Sequence, residues 1–329
     1  MSKIISISRR TDIPAFYGNW FMNRIKEGYA GHINPFGGQK YTVSLKPEDV
    51  ICFVFWSKNF EPFMNSLKLL NDMGYKFYFN YTITGLPEIF ECNLIPTQKA
   101  MDNLKKLSEL FSPKHINWRY DPIVISDITD YNFHLENFEN MAANLKNYTE
   151  RCYFSYAIQY GKVQRNFENF RKNHKINISD PDLETKINLA NKLAEIAEKY
   201  NITMYSCCGD VLINEKIKKA HCIDGDIIKE LFYKDNNIKS KILPTRKECG
   251  CTASIDIGAY DTCPHGCIYC YANINKEKAY SSYNSHEPES VFLGYSVEES
   301  KRFEVSSVSP KSQKQNGNTE QLSFFENVI

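Results

Sequence analysis

Seven short apolar runs occur along this chain, and most of them are followed by an amphipathic stretch. The run at residues 50–56 is apolar throughout, which is typical of a strand buried on both faces. Strands that alternate with helices favour a parallel sheet covered by helices. The sequence therefore predicts an α/β fold with strands at residues 4–8, 50–56, 77–83, 115–119, 152–158, 202–206 and 252–257.

The stretches between these runs have apolar residues at helical spacing. Thr97 is a candidate cap for one helix, and Asp180 followed by Pro181 is a favourable start for another. Helices are expected at residues 14–26, 62–73, 98–111, 135–145, 180–200 and 226–232. After about residue 275 the pattern gives way to Ser, Glu, Lys and Asn. We therefore expect one domain at residues 1–275, and a short extension followed by a disordered tail at 276–329.

Composition narrows the class of protein. Hydrophobic residues make up 42% of the chain, which allows a sizeable core, and the net charge of +1 gives no general attraction to nucleic acid or membrane. No signal-peptide pattern opens the sequence, and no apolar run approaches the roughly 20 residues of a membrane-spanning helix. We expect a cytoplasmic protein with no membrane segment.

The chain has eleven cysteines, and eight of them lie between residues 207 and 270. In a cytosolic chain of this length, clustered cysteines indicate metal or redox chemistry rather than disulfides. The three scattered ones, Cys52, Cys92 and Cys152, are expected to be core or incidental thiols.

Three of the clustered cysteines, Cys263, Cys267 and Cys270, have the spacing C-x3-C-x2-C. Thiolates suit iron–sulfur clusters and zinc, but a structural zinc site normally closes with four protein ligands. An iron–sulfur cluster is therefore favoured, and a zinc site completed by His265 or a distant cysteine is the alternative. We expect His265 to point outward as a donor to a cluster sulfur.

The pattern C-x3-C-x-aromatic-C, with Tyr269 as the aromatic residue, resembles the cluster motif of the radical SAM superfamily. In that superfamily the three cysteines hold a [4Fe–4S] cluster, and the fourth iron binds S-adenosylmethionine (SAM). Reduction cleaves SAM to a 5′-deoxyadenosyl radical. The superfamily usually carries the motif near the N-terminus, whereas this chain carries it near the C-terminus.

Further segments strengthen a more specific likeness. Together with the late cysteines they resemble an uncharacterised bacterial family, a domain of unknown function noted for radical-SAM-like C-terminal cysteines. The resemblance covers roughly residues 1–275 and implies a complete or partial TIM-barrel-like fold that is circularly permuted. An open doubly wound sheet is the alternative. The segments are Ser6-Ile-Ser-Arg-Arg-Thr-Asp-Ile-Pro14, Phe55-Trp-Ser-Lys-Asn59, Trp118-Arg-Tyr-Asp-Pro122 and Cys249-Gly-Cys251.

The permuted reading places the segment after the first strand where superfamily members hold the SAM amino group. The resemblance thus implies that Asp12 binds the ammonium and that Arg9 or Arg10 binds the carboxylate by bidentate pairing. Thr11 and Tyr269 complete the predicted cofactor-binding set. A salt bridge at a strand–helix junction is the structural alternative.

Other polar residues follow predicted strands, where barrel enzymes place their active sites. Lys58 is a candidate for holding a phosphate or carboxylate, with a surface loop as the alternative. Arg119 and Asp121 lie two apart in a strand and so face the same side. They predict either a structural ion pair or a substrate contact, and Pro122 is expected to stop the strand.

The remaining cysteines suggest a second metal site, either an auxiliary iron–sulfur cluster or zinc. Adjacent residues in a strand point to opposite faces, so only one of Cys207 and Cys208 is expected to be a ligand. The predicted ligands are Cys208, Cys222, Cys249 and Cys251.

The tail carries one further signal. The segment from Gln321 to Phe325 resembles the short motif with which bacterial proteins bind the replicative sliding clamp. That likeness implies a link to DNA.

The leading hypothesis is a radical-SAM-like iron–sulfur enzyme with an unknown, DNA-related substrate and an electron donor such as flavodoxin or ferredoxin. The alternative is a non-catalytic iron–sulfur or zinc protein with a structural, electron-transfer or DNA-associated role.

Overall fold

A computed structural model describes residues 2–35, 37–158, 160–234, 241–244 and 246–305. The fold is α/β, with a large parallel sheet of eight strands. The strands of this sheet are β1 (Lys3–Ile7), β4 (Val50–Ser57), β5 (Phe77–Thr82), β6 (Ile116–Ile123), β8 (Arg151–Tyr156), β10 (Thr203–Ser206), β11 (Ile217–Lys219) and β12 (Ile255–Asp256).

Two small antiparallel pairs complete the strands. One joins β2 (Tyr29–Ile33) to β3 (Lys40–Ser44), and the other joins β7 (Ile125–Ser126) to β9 (Ile178–Ser179). The helices are α1 (Ile13–Phe16), α2 (Gly18–Glu27), α3 (Met64–Asp72), α4 (Thr97–Leu110), α5 (Tyr131–Leu145), α6 (Gly161–His174), α7 (Leu183–Lys199), α8 (Gly225–Phe232), α9 (Lys276–Ser285) and α10 (Val297–Lys301). Short 3-10 turns lie at Pro47–Asp49, Glu61–Phe63, Glu88–Phe90, Pro113–His115 and Asp210–Leu212.

The strand order of the large sheet is β11-β10-β8-β6-β5-β4-β1-β12. From β1 to β11 the strands are therefore neighbours in chain order, and β12 pairs with β1 through Ile5–Ile255 and Ser6–Asp256. The predicted α/β class is confirmed, since the fold is a parallel sheet with helices. Within the described ranges the sheet is not closed into a barrel.

All seven predicted strands are present in this sheet. The pattern missed β11, the β2–β3 hairpin, the β7–β9 pair, α6 and the two helices of the extension, α9 and α10. The predicted stop at Pro122 is wrong because β6 continues to Ile123, and the helix predicted from Asp180 begins only at Leu183, with Asp182 as its cap. The cap of α4 is Pro96 rather than Thr97.

The described chain divides into two compact units. Unit 1 contains residues up to 78, 254–266 and 272–305, and unit 2 contains 79–253 and 267–271. The core of unit 1 is aromatic, since Phe21 of α2 packs edge-on against Phe53, Phe55 and Phe63, with ring centroids 5.4, 5.8 and 5.9 Å away.

In unit 2, the ring of Trp118 from β6 stacks on Phe138 from α5 with centroids 5.0 Å apart. The Trp118 Nε1–H donates to the carbonyl oxygen of Ile83 at 2.9 Å, which satisfies the polar end of this buried side chain. Helix and sheet are thereby fixed to each other close to Arg119.

The extension after residue 275 forms α9 and α10 and packs within unit 1. Trp20 Nε1 of α2 donates to the carbonyl oxygen of Ser290 at 2.8 Å. Gly31 allows this close packing, because a Cβ there would lie 2.6 Å from the ring of Phe292. The predicted disordered tail and the clamp-like segment from Gln321 to Phe325 lie outside the described residues, which end at residue 305.

Across the described ranges, we find no helix that combines the length and apolar character needed to cross a membrane.

Candidate functional site

The cysteine loop, residues 263–270, follows shortly after β12. In unit 1 the main chain at its start is held by two side chains. Asn273 Nδ2 donates to the carbonyl oxygen of Cys263 at 2.8 Å, and the Tyr17 hydroxyl donates to that of Thr262 at 2.6 Å. Burial, followed by the charge of Cys263, raises the pKa of Tyr17, so this phenol remains a neutral donor.

His265 lies inside the cysteine loop and is buried. Its Nε2 lies 2.7 Å from Asp12 Oδ2. The expectation that His265 points outward is therefore wrong. The Asp12 carboxylate also accepts hydrogen bonds from the Ser57 hydroxyl at 2.7 Å and from the main-chain N–H groups of Lys58 at 2.7 Å and Ala15 at 3.0 Å.

Asp12 thus joins three segments of unit 1. It follows β1, Ser57 ends β4, and His265 belongs to the cysteine loop after β12. These strands are neighbours and parallel, so their carboxyl ends lie at one edge of the sheet. The structure brings Asp12 together with the main chain of Lys58, while the SAM-ammonium role of Asp12 and the anion-binding role of the Lys58 side chain stay predictions.

The predicted cofactor residues Arg9 and Arg10 face a carboxylate that sequence reasoning missed. Arg10 Nε lies 3.1 Å from Asp256 Oδ1, and Arg9 Nε lies 3.6 Å from Asp256 Oδ2. The hydroxyls of Ser8 and Ser6 donate to the same carboxylate at 2.6 and 2.8 Å. Burial works to raise the pKa of Asp256, but Arg10 and Arg9 outweigh it and hold this pKa below its usual range.

The signal for Asp256 is present in the sequence as an acid inside the apolar run at 252–257. A buried acid in a strand requires a partner. The strand pairing identifies that partner, because it sets Asp256 beside Ser6 of β1 and near the two arginines that follow.

Thr11, another predicted cofactor residue, is buried. Its hydroxyl has no hydrogen-bond partner among the residues that the structure describes. A buried hydroxyl without a partner is unusual, because such groups are normally hydrogen-bonded. Thr11 therefore offers a polar atom that a bound ligand could satisfy.

In unit 2, the later part of the cysteine loop contacts a second buried carboxylate that sequence reasoning missed. The Tyr269 hydroxyl donates to Glu91 Oε1, and the Thr84 hydroxyl donates to Glu91 Oε2 at 2.7 Å. The main-chain N–H of Ile268 donates to the carbonyl oxygen of Phe90 at 3.0 Å. Burial, then the charges of Cys267 and Glu91, raises the pKa of Tyr269 well above its usual value.

Arg119 and Asp121, predicted from their spacing to face the same side of a strand, form an ion pair. The Ser155 hydroxyl donates to Asp121, and Arg119 Nη1 donates to Cys222 Sγ at 3.0 Å. Burial works to lower the pKa of Arg119, but the charges of Asp121 and Cys222 raise it above its usual value, so the guanidinium stays charged. The ion pair therefore also reaches a cysteine, while the substrate-contact role of the two residues stays a prediction.

Five cysteines from three separate segments of unit 2 come together. Cys207 Sγ lies 3.4 Å from Cys222 Sγ. The side chains of four further pairs also interact: Cys207 with Cys208, Cys208 with Cys249, Cys249 with Cys251, and Cys251 with Cys222. We refer to the set as the five-thiol group: Cys207, Cys208, Cys222, Cys249 and Cys251.

Cys207 and Cys208 both belong to this group, while the expectation that only one of them is a metal ligand stays a prediction. The strand β10 ends at Ser206, and Cys208 has a left-handed backbone with a φ of 55°. The alternation of a strand therefore does not apply to this pair.

Arg246, which sequence reasoning did not single out, also contacts the five-thiol group. Its Nε donates to Cys208 Sγ at 2.9 Å, and its Nη2 lies 3.6 Å from Cys207 Sγ. The Tyr160 hydroxyl lies 3.3 Å from its Nη1. Hydrogen bonds from Cys208 and Cys222, supported by two arginines, hold the pKa of Cys207 well below its usual value.

In the described part of the chain, no group of three or more His, Cys, Asp or Glu side chains is placed so that it could hold a metal ion as it stands. The metal-ligand roles of both cysteine sets therefore stay predictions.

Comparison with known proteins gives one match. A family model described as a domain of unknown function, DUF1848, matches residues 4–272. The chain belongs to the DUF1848 family. The matched part of this DUF1848 protein contains both the cysteine loop and the five-thiol group, whereas α9 and α10 follow it. No curated protein and no solved structure matches it significantly.

Proposed function

We propose that this protein is a radical-SAM-like iron–sulfur enzyme in which Cys263, Cys267 and Cys270 hold a [4Fe–4S] cluster. One observation carries the proposal. The C-x3-C-x2-C loop leaves β12, which pairs in parallel with β1, so the loop and the segment from Arg9 to Asp12 leave the same edge of the sheet. Ligands of α/β proteins commonly bind at that edge.

The strand order supports a partial, circularly permuted barrel as the finer form of the fold. Strands from β1 to β11 are neighbours in chain order, whereas a doubly wound sheet reverses direction at a switch point. β12 lies beside β1, so the strand that is first in the superfamily would be last here. A chain permuted in this way keeps its cysteine loop at the carboxyl ends of the strands.

The residues named for the proposed cofactors fit them in two respects. The buried Thr11 hydroxyl has no partner among the described residues and could bond to SAM. The cysteine donor set also matches the cluster, since three thiolates leave one iron open. When bound, the reduced cluster would supply the electron that cleaves SAM.

The other residues would position the loop and exclude water. Asp12 holds His265, and Glu91 holds Tyr269, so each half of the loop is tied to a buried carboxylate. Arg10 is already paired with Asp256, so its guanidinium would act by fixing the segment rather than by a new bidentate bond to SAM.

The test is anaerobic reconstitution followed by a SAM-cleavage assay with dithionite. We expect about four irons per chain and formation of 5′-deoxyadenosine. Cys267→Ala should lose both, whereas the matched variant at an exposed cysteine, Cys92→Ala, should keep both. Full activity in Cys267→Ala, or cleavage that does not require iron, would overturn the proposal.

A second candidate is a non-catalytic iron–sulfur protein with an electron-transfer or structural role. The observation that favours it is the saturation of Asp12, whose carboxylate already accepts three hydrogen bonds and contacts His265. Iron bound at four per chain without any SAM cleavage would establish this candidate instead.

A DNA-related substrate also belongs to the proposal, and it rests on the clamp-like segment from Gln321 to Phe325 alone. Deletion of residues 321–325 should abolish a pulldown with the bacterial sliding clamp while leaving SAM cleavage unchanged. No binding of the full chain at micromolar concentrations would remove the link to DNA.

A further inference from the structure

We infer that the five-thiol group of unit 2 binds a single zinc-class metal ion through four thiolates. The site is separate in sequence from the proposed cluster and does not depend on it. Its cysteines come from three segments, at residues 207–208, at Cys222 and at 249–251, that are far apart along the chain. Five thiols that meet in this way form a donor set of the kind that zinc, a borderline-soft ion, prefers.

The sulfur spacing favours one ion over a cluster. A zinc–sulfur bond of about 2.3 Å places the sulfurs of a tetrahedral site about 3.8 Å apart. Cys207 Sγ and Cys222 Sγ lie 3.4 Å apart, which is close to that edge. Cysteines that bind a [4Fe–4S] cluster attach to different irons and lie farther apart, so the spacing argues against a second cluster.

The charge around the group matches a thiolate-bound ion. Four thiolates and one divalent cation carry a net charge of about −2, and a buried charge requires nearby partners. Two guanidiniums contact the sulfurs: Arg119 Nη1 donates to Cys222 Sγ at 3.0 Å, and Arg246 Nε donates to Cys208 Sγ at 2.9 Å. Neutral thiols are weak acceptors and would not need two buried cations.

Each of these arginines also contacts a second polar side chain besides the sulfur. Asp121 pairs with Arg119, and the Tyr160 hydroxyl contacts Arg246. Groups that orient donors toward metal-bound sulfur are a regular part of metal sites. The arrangement therefore extends beyond the sulfurs themselves.

Binding requires the thiols to turn from one another toward a common centre, because as the side chains stand no metal-holding group occurs in the described ranges. A cysteine sulfur can move by rotation about χ1, the one side-chain torsion that places it. Cys208 and Cys249 are half-buried, whereas Cys207, Cys222 and Cys251 are buried. The half-buried pair gives the ion a route of entry.

The test counts metals in full-length protein purified from zinc-supplemented cells. We expect about one zinc per chain in the wild type, and below about 0.1 in Cys222→Ser and in Cys251→Ser. Cys152→Ser, which changes a buried thiol outside the group, should keep its zinc. Cys267→Ala should also keep it, so failure of the proposed cluster leaves this result unaffected.

A measurement on the wild type covers the case in which variants do not fold. After removal of zinc with a chelator, added cobalt(II) should give the intense visible absorption bands of a tetrahedral tetrathiolate site. Added zinc should then displace the cobalt, and the bands should disappear. Re-addition of zinc should raise the melting temperature of the same sample.

Three results would overturn the inference. Wild-type protein without zinc, in which intact mass and peptide mapping show a Cys207–Cys222 disulfide, would make the group a redox pair. Iron and sulfide retained in a variant lacking Cys263, Cys267 and Cys270 would make it a second cluster. Zinc retained in both Cys222→Ser and Cys251→Ser would place the ion elsewhere.

Discussion

The two cysteine regions of this protein differ in the charge of the groups around them. The cysteine loop is tied to buried carboxylates, with Asp12 on His265 and Glu91 on Tyr269. The five-thiol group is contacted by two guanidiniums, from Arg119 and Arg246. In the first region carboxylates contact side chains of the loop, whereas in the second guanidinium groups donate hydrogen bonds to sulfur.

This difference suggests what each region is built to hold. A cluster with three thiolates that also binds SAM meets the positive charge of the SAM sulfonium and ammonium, so nearby acids are acceptable. An ion bound by four thiolates is strongly negative and requires cations. The environment therefore distinguishes the two proposed metal sites, whose proposed ligands are of the same residue type.

The largest expected effect concerns Asp256, the buried acid of β12 that pairs with Arg10 and Arg9 after β1. Asp256→Asn leaves Arg10 buried without its carboxylate partner, which should lower the free energy of unfolding by about 3–5 kcal/mol. Lys278→Gln breaks the ion pair between Asp261 and Lys278, whose side chain is largely exposed. It should change the free energy of unfolding by about 1 kcal/mol or less. Denaturant unfolding of both variants measures the contrast, and equal effects would remove the role given to Asp256.

The second effect concerns the loss of unfolding free energy at low pH that is expected from His134, which contacts the strand β6. His134 is buried, with Nδ1 2.6 Å from the Tyr120 hydroxyl and Nε2 2.9 Å from the carbonyl oxygen of Val124. Burial lowers the pKa of His134 from 6.5 to about 4. The unfolded chain therefore binds a proton between these values that the folded chain does not, and stability falls as the pH falls through this window.

His134→Gln keeps a donor and an acceptor but cannot titrate. Between pH 7 and pH 4, wild-type protein in excess chelator should lose about 3 kcal/mol more unfolding free energy than the variant does. Denaturant unfolding at the two pH values checks this. An equal loss in both proteins would mean that His134 does not titrate as a buried group.

The third effect tests the cations of the five-thiol group. Arg119→Lys keeps the charge but not the planar fork that reaches both Asp121 and Cys222, so zinc affinity should fall about 10–100-fold. Competition with a chelator measures this affinity. Arg171→Lys, at an exposed position of α6, is the control, and an equal affinity in the two variants would leave Arg119 with a structural role only.

The smallest effect tests Glu91, the buried acid that accepts a hydrogen bond from Tyr269 of the cysteine loop. Tyr269→Phe removes a donor to Glu91 but leaves the Thr84 hydroxyl, so the free energy of unfolding should fall by about 1–2 kcal/mol. Tyr29→Phe, at an exposed phenol, should have no measurable effect. Iron retention after reconstitution should also fall in Tyr269→Phe, and unchanged stability and iron would separate Glu91 from the loop.

The fold was predictable because its signals are local. Buried runs such as residues 50–56 and the amphipathic stretches between them identify seven strands of the sheet. Very short elements were not predictable, since β11 has three residues and carries two lysines. The helix expected at residues 14–26 divides at Tyr17, which no periodicity indicates.

The candidate sites were predictable in unequal parts. The cysteine loop is a contiguous motif, so its spacing alone identifies it. The members of the five-thiol group were noticed as cysteines, but their convergence with Arg246 depends on tertiary structure. Asp256 and Glu91 were missed because a lone acid gives no sign of its partner, and that partner is brought near only by strand pairing or loop contacts.

The most direct test of the account is a count of iron and zinc in the same reconstituted wild-type sample and in Cys263→Ala/Cys267→Ala/Cys270→Ala. The account predicts about four irons and one zinc per chain in the wild type, and zinc alone in the variant. Iron retained by the variant, or zinc lost together with the iron, would contradict the assignment of different metals to the two cysteine regions.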